Sequence, residues 1–151
     1  MNNLTSLIAL VGGEEFSSDC MEMDARILSF VKPLNAKAKV AIVPTAAAFQ
    51  RPDLAAKNGI NHFESLGADS YAVEILSKND ANDSKFIPCL EKANLIYLTG
   101  GDPNHLVSVF NNSSILDLMR TLGNQGCFIA VSYTHLRAHE TEADLVCRLL
   151  L

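Results

Sequence analysis

Three short segments carry residue types that could do chemistry together: Gly12-Gly13-Glu14-Glu15, Pro44-Thr45-Ala46 and Thr99-Gly100-Gly101-Asp102. Paired glycines let a backbone approach a ligand closely, and the N–H groups of Gly100 and Gly101 could point at a developing oxyanion. Asp102 before Pro103 has the pattern of an N-cap and first helical residue, so its carboxylate is expected to cap a helix. Gly12-Gly13 is a poor phosphate loop. The dinucleotide fingerprint needs G-x-G-x-x-G, and the carboxylates of Glu14 and Glu15 would repel a phosphate. That loop suits a tight turn, or a substrate with cationic or amide groups. Thr45 offers a hydroxyl at a strand end, in a small-residue context that makes loops more often than it catalyses. His105, three residues after Asp102, reads as a surface histidine on the first turn of the same helix.

A second set of tempting residues lies near the C-terminus. His135 and His139 are four apart with Glu140 adjacent, a spacing that places two imidazoles on one helical face as in zinc sites. Ser132 and His135 could be drafted into a nucleophile–base pair. The apolar periodicity of the chain stops after Ala130, however. The residues from Val131 to Leu151 resemble the conceptual translation of a sequencing-library adapter, so they are set aside from fold and site reasoning. The expected division is therefore 1–130, the N-terminal part of a single α/β domain, and 131–151, a non-native tail. No metal site and no cofactor is expected.

The elements that must position the three segments follow from short apolar runs. Leu7–Val11, Val40–Val43, Tyr71–Leu76, Leu95–Leu98 and Cys127–Ala130 lack polar alternation, the pattern of strands buried on both faces of a parallel sheet. Amphipathic segments separate them. Met23, Ile27, Phe30 and Val31 predict one helix face after the capping candidates Ser17, Ser18 and Asp19. Ala56, Ile60 and Phe63 predict a second, with Pro52 near its start and Gly67 past its end. A third opens at Asp102-Pro103 and buries Leu106, Val109 and Phe110. A fourth opens at Ser113 or Ser114, turns Ile115, Leu118, Met119 and Leu122 inward, and stops at Gly123. Between Ser84 and Ala93, Pro88 removes an interior hydrogen bond, so any helix there starts late or kinks. Alternating strands and helices specify a doubly wound α/β sandwich with helices on both faces of a mostly parallel sheet, and a flavodoxin-like strand order is expected. Ligands of such sheets sit at the carboxyl ends of the strands, which is where all three glycine, threonine and acid segments fall.

Composition narrows the function classes. The chain has 151 residues, enough for one domain with a real core. Twelve Lys and Arg stand against 17 Asp and Glu, for a net charge of −5, so neither nucleic acid nor an anionic membrane is an expected partner. No apolar run approaches the ~18–20 residues of a membrane-spanning helix. Cys20, Cys89, Cys127 and Cys147 are far apart, with no C-x-x-C pair, and read as small buried hydrophobes of a reducing compartment. The N-terminus reads as a first strand rather than a secretory signal, which makes a cytoplasmic location the default.

Four motifs in order, Leu10-Val11-Gly12-Gly13-Glu14, Val40–Ala46, Phe63–Ala68 and Leu95–Asp102, resemble the cyanophycinase-like serine peptidases. These are relatives of alpha-aspartyl dipeptidase and have a class I glutamine amidotransferase-like, flavodoxin-like fold. The resemblance covers about Leu7–Ala130. It implies hydrolysis of a peptide bond near an aspartyl residue, with a small peptide as substrate and no cofactor. It also implies a serine nucleophile on a sharp strand-to-helix turn, with a histidine base and an acid later in the chain. Gly100, Gly101 and Asp102 match the family's Gly-Gly-Asp loop beside that turn, with oxyanion and substrate contacts. The turn itself departs from the pattern. Tyr133 lies where the nucleophile is expected, Ser132 is one position off, and the small residue and glycine that should follow are absent. The expectation is an N-terminal fragment of a serine hydrolase, inactive as written. A non-catalytic flavodoxin-like module binding a small ligand or nucleotide is the competing reading.

Overall fold

The computed structural model describes residues 7–12, 14–31 and 33–133. Five strands form one parallel sheet: β1 (Ile8–Gly12), β2 (Lys39–Val43), β3 (Asp69–Ala72), β4 (Leu95–Leu98) and β5 (Phe128–Tyr133). Their order is β1-β5-β4-β2-β3. Starting the count at β2, this is the flavodoxin order 2-1-3-4-5, with β1 filling the fifth place at the far edge. The α/β, flavodoxin-like class expected from the sequence is the class observed.

Helices α1 (Met21–Val31) and α2 (Pro52–Ser65) cover one face, and α3 (Ile87–Glu91), α4 (Pro103–Phe110) and α5 (Ser114–Asn124) cover the other. The strand side chains sort by parity, as a pleated strand requires. Val40, Ile42, Leu95, Tyr97 and Ala130 pack toward α1 and α2. Ala41, Val43, Ile96, Leu98, Ile129 and Val131 pack toward α3–α5 with Phe110, Ile115 and Met119. Both sets are buried, which is why the central strands read as unbroken apolar runs. Among the described residues no helix is long and apolar enough to cross a membrane.

Several boundaries differ from the sequence reading, each for a local reason. The third strand begins at Asp69, whose N–H bonds the Ala38 carbonyl, and ends at Ala72, because Ile75 turns back to hydrogen-bond Val73. The fourth predicted helix runs on to Asn124, and the turn that ends it is made by Gly126, at φ +99°. Pro88 does delay its helix: a 3-10 turn at Ser84–Phe86 precedes α3. The largest change is in α1, where Asp24, Ile27 and Leu28 are buried while Met23 and Phe30 are exposed. The helix is turned from its purely apolar face so that Asp24 meets His62 of α2. Finally, β5 does not stop at Ala130. Val131, Ser132 and Tyr133 pair in register with Leu10, Val11 and Gly12 of β1.

Candidate active site

All five strands point the same way, so their carboxyl ends share one edge of the sheet. The sheet's switch point lies there between β2 and β4, where successive connections leave in opposite directions. The loop after β2 and the loop after β4 meet at this point. Thr99 donates its N–H to the Val43 carbonyl at 3.2 Å, and Asp102 donates its own to the Ala46 carbonyl at 2.7 Å. The backbones are so close at Gly101 that a Cβ there would stand 2.2 Å from the Ala46 oxygen and 2.8 Å from the Ala47 nitrogen. Gly101 also has φ +148°, a conformation that side chains disfavour. A glycine is required here on both counts.

Each amide of this loop has a distinct fate. Gly100 donates its N–H to Glu15 Oε2 at 2.9 Å, reaching the loop that follows β1. Asp102 uses its N–H on Ala46, and its carboxylate caps α4 by accepting from Asn104 N–H at 2.9 Å and His105 N–H at 3.3 Å. The Gly101 N–H has no acceptor among the described residues. Among the described residues, one donor at the switch point is therefore unspent.

Glu15 is held by an unusual neighbour. Phe16 adopts φ +62°, a strained value for an aromatic residue, and its ring packs 5.1 Å from Tyr97, 5.5 Å from His62 and 6.3 Å from Phe63, centroid to centroid. Gly59 of α2 makes the space: a Cβ there would lie 2.9 Å from the tip of the Phe16 ring. Beneath the ring, His62 Nε2 is 2.7 Å from Asp24 Oδ2, with both side chains buried. Burial pushes the Glu15 carboxyl above its ordinary range, and the Gly100 N–H and nearby Ser132 hydroxyl pull partly the other way. Burial likewise raises Asp24, and the His62 contact opposes it without prevailing. The Tyr97 phenol is pushed up by burial and by the Glu15 and Asp24 carboxylates. Although Ser132 lies close to Glu15 and Tyr97, neither the Ser132 hydroxyl nor the Tyr97 hydroxyl reaches a partner at bonding distance.

Glu15 and Phe16 divide the groove along this edge into two cavities. One, of about 410 Å³, is walled by Glu15, Ala47, Arg51, Asn58, Gly100 and Gly101. The other, of about 470 Å³, opens between Phe16, Ser17, Met21, Asn58 and His62. Arg51 in the first cavity is already paired with Asp53 at 3.0 Å.

The family model for peptidase family S51 matches residues 7–131, which include β1–β4 whole and β5 up to Val131. The chain belongs to peptidase family S51. Its fold is similar to that of a peptidase from an acI-B1 Actinobacterium, with a TM-score of 0.76 at 24% identity over 83% of this chain and 52% of that one. It is also similar to a putative peptidase E protein from Listeria monocytogenes EGD-e, with a TM-score of 0.59 at 18% identity over 84% of this chain and 57% of that one. The S51 chain thus spans little more than half the length of these solved structures. No curated protein matches it.

Within the S51 fold, the residues singled out by sequence are distributed unevenly. Gly100 and Gly101 stand at the switch point, and Asp102 acts as the helix cap its pattern announces. Gly12 ends β1 opposite Tyr133, the last residue of β5. Gly13 lies outside the described residues, as do His135, His139, Glu140 and Cys147. Glu14 is exposed, and its carbonyl accepts from the Ser17 N–H at 3.3 Å and the Cys20 thiol, while the adjacent Glu15 makes the contact with Gly100. Thr45 is a loop-maker, with its buried hydroxyl donating to the Ile75 carbonyl at 2.5 Å. His105 is more engaged than a surface histidine: its Nε2 lies 2.9 Å from the Leu76 carbonyl, and Phe49 packs edge-on 4.5 Å from its ring. Phe16, Asp24 and His62 were not legible as a group. A histidine beside core Phe63 hints at His62, but its pairing with Asp24 exists only in three dimensions.

Proposed function

We propose that the described fold is the N-terminal part of a serine-type peptidase domain that cleaves peptide bonds near aspartyl residues. In this reading the loop at Gly100 and Gly101 supplies a backbone donor to the reacting carbonyl. The observation that carries it is the Gly101 N–H without an acceptor among the described residues, on a loop that lines a cavity of about 410 Å³ at the switch-point edge of an S51 chain. A preorganised N–H aimed into a partly buried site stabilises a developing oxyanion at little reorganisation cost. An anionic nucleotide is a poor fit to the same cavity, because the Glu15 carboxylate lines it.

This chain is proposed to be catalytically inactive. In this reading the nucleophile belongs at the end of β5, where Tyr133 stands, and Ser132 one residue earlier packs into the interior beside Glu15 and Tyr97. A side chain at position 132 points to the α1–α2 face with Ala130, away from the edge. The test is a peptidase assay on Asp-containing dipeptides. No turnover is expected, and turnover abolished by Ser132→Ala would overturn the inactivity. Binding tests the broader reading. An aspartyl dipeptide should perturb the amide resonance of Gly101, and a nucleotide or flavin that does so in its place would establish the ligand-binding alternative.

A further inference from the structure

We propose that Glu15 is a positioning residue for the glycine loop: by taking the Gly100 N–H it leaves Gly101 as the amide presented to a bound acyl oxygen. The inference rests on the peptidase reading for what the loop does, and on geometry alone for how the loop is held. Two adjacent amides could serve as the donor, and a flexible glycine pair would sample both. The structure fixes the choice from either side. Gly100 is tied to Glu15 at 2.9 Å, and Asp102 is tied to Ala46 at 2.7 Å, so the peptide between them has little freedom. Glu15 is itself immobilised by its neighbour Phe16, whose ring fills the space left by Gly59 and packs on Tyr97 and His62.

The groups that face Glu15 come from every element around it. Tyr97 comes from β4, Ser132 from β5 and Asp24 from α1, while His62 and Arg51 line the two cavities that Glu15 separates. None of them replaces it on Gly100. The Ser132 and Tyr97 hydroxyls reach no partner at bonding distance, so neither competes with Glu15 for the Gly100 amide.

The experiment uses the whole chain labelled with nitrogen-15 glycine, whose 8 glycines give a sparse amide spectrum. In the wild type, Gly100 should exchange with deuterium about tenfold more slowly than Gly101, the protection a single net hydrogen bond confers. Its amide shift should follow one titration with a midpoint above the ordinary glutamate value of 4.5. Glu15→Gln, whose amide oxygen can still accept, should keep the protection and lose the titration. Glu15→Ala should lose both, with the resonances of Gly67 and Gly126 unchanged as a control for folding. A Gly100 amide that exchanges as fast as Gly101, or that ignores pH in the wild type, overturns the proposal. So does a Glu15→Gln chain that behaves like Glu15→Ala. Acetamide then serves as a neutral acyl-oxygen probe, free of repulsion by the Glu15 carboxylate that lines the cavity. It should move Gly101 in the wild type and Glu15→Gln, and move both glycines in Glu15→Ala. If Gly100 is protected but acetamide moves neither glycine, the oxyanion reading of the loop is overturned while the positioning contact stands.

Discussion

The two faces of the sheet are built on different terms. Toward α3–α5, the interior is filled by apolar side chains, from Ile96 and Leu98 through Phe110, Ile115 and Met119, and its buried hydroxyls are bonded, Thr45 to the Ile75 carbonyl and Ser113 to the Leu116 N–H. Toward α1 and α2 the interior also holds the Asp24–His62 pair, the Tyr97 hydroxyl and Ser132, with the strained Phe16 and the raised carboxyl of Glu15 above them. Buried polar groups cost stability unless they are fully bonded, and here Asp24 Oδ1, Ser70 Oγ, Tyr97 OH and Ser132 Oγ are not. One face therefore supplies stability in the ordinary way. The other tolerates costs that packing alone does not justify, and all but Ser70, at the far end of β3, gather around Phe16 and Glu15 next to the glycine loop. That concentration is the physical ground for reading this edge as the candidate site.

The comparison can be broken from its stable side first. Phe110→Ala, deep in the apolar face, should cost about 3–5 kcal/mol in urea unfolding and leave the Gly100 and Gly101 amide resonances in place. A smaller loss, or a shift at the glycine loop, would mean that the faces are not independent. On the polar face, Asp24→Ala should cost about 3 kcal/mol because it strands a buried imidazole without its partner. A cycle with His62→Ala should then show strong coupling, since removing both partners relieves that stranding. Additive losses would remove the pair from the account of this face. Next in size is Gly101→Ala, whose Cβ collides with the Ala46 carbonyl and whose φ is unfavourable for alanine. Its cost should be about 1–3 kcal/mol, with loss of the Asp102–Ala46 hydrogen bond visible as faster exchange at Asp102.

The same contrast explains what the sequence made legible. The apolar face largely obeys periodicity: Leu106, Val109 and Phe110 on α4, and Ile115, Met119 and Leu122 on α5, are buried as their spacing predicts, while Leu118 is only half-buried and Leu116 is buried in addition. The Asp102 and Ser113 caps are read from type and position alone, because capping is local. On the other face, periodicity sets α1 by Met23, Ile27, Phe30 and Val31, and the structure instead buries Asp24 and Leu28 beside Ile27. An aspartate counts as a solvent residue until a partner 38 positions away accounts for it. The glycine loop was visible because glycine pairs announce close backbone approach, and the Ala46 contact at Gly101 supplies the reason. Which of its amides is free was not visible, since that depends on Glu15 reaching across 85 positions. Spacing along the chain resolves local geometry and blurs whatever the sheet brings together from afar.

The smallest predicted effect sharpens the comparison most, because it asks whether the polar face is held at a cost. The folded-state pKa of Glu15 is raised above 4.5, so the folded protein binds that proton more tightly than the unfolded chain does. The contribution of this group to stability is then fully present below about 4.5 and is lost as the pH rises through the folded value. Glu15→Gln keeps an acceptor for the Gly100 N–H and carries no charge to desolvate. Its stability relative to the wild type should therefore improve as pH rises from about 4 toward 7, by a margin that the Gly100 N–H and Ser132 hydroxyl keep small. Asp24 has the same sign, since its folded pKa also lies above its ordinary value, but it is common to both chains and cancels from their difference. Urea midpoints for both chains across that pH series decide it. If the variant instead loses ground as pH rises, the ionised Glu15 is a net stabiliser, and the cost assigned to this edge of the sheet has to be sought in Phe16 and the Asp24–His62 pair alone.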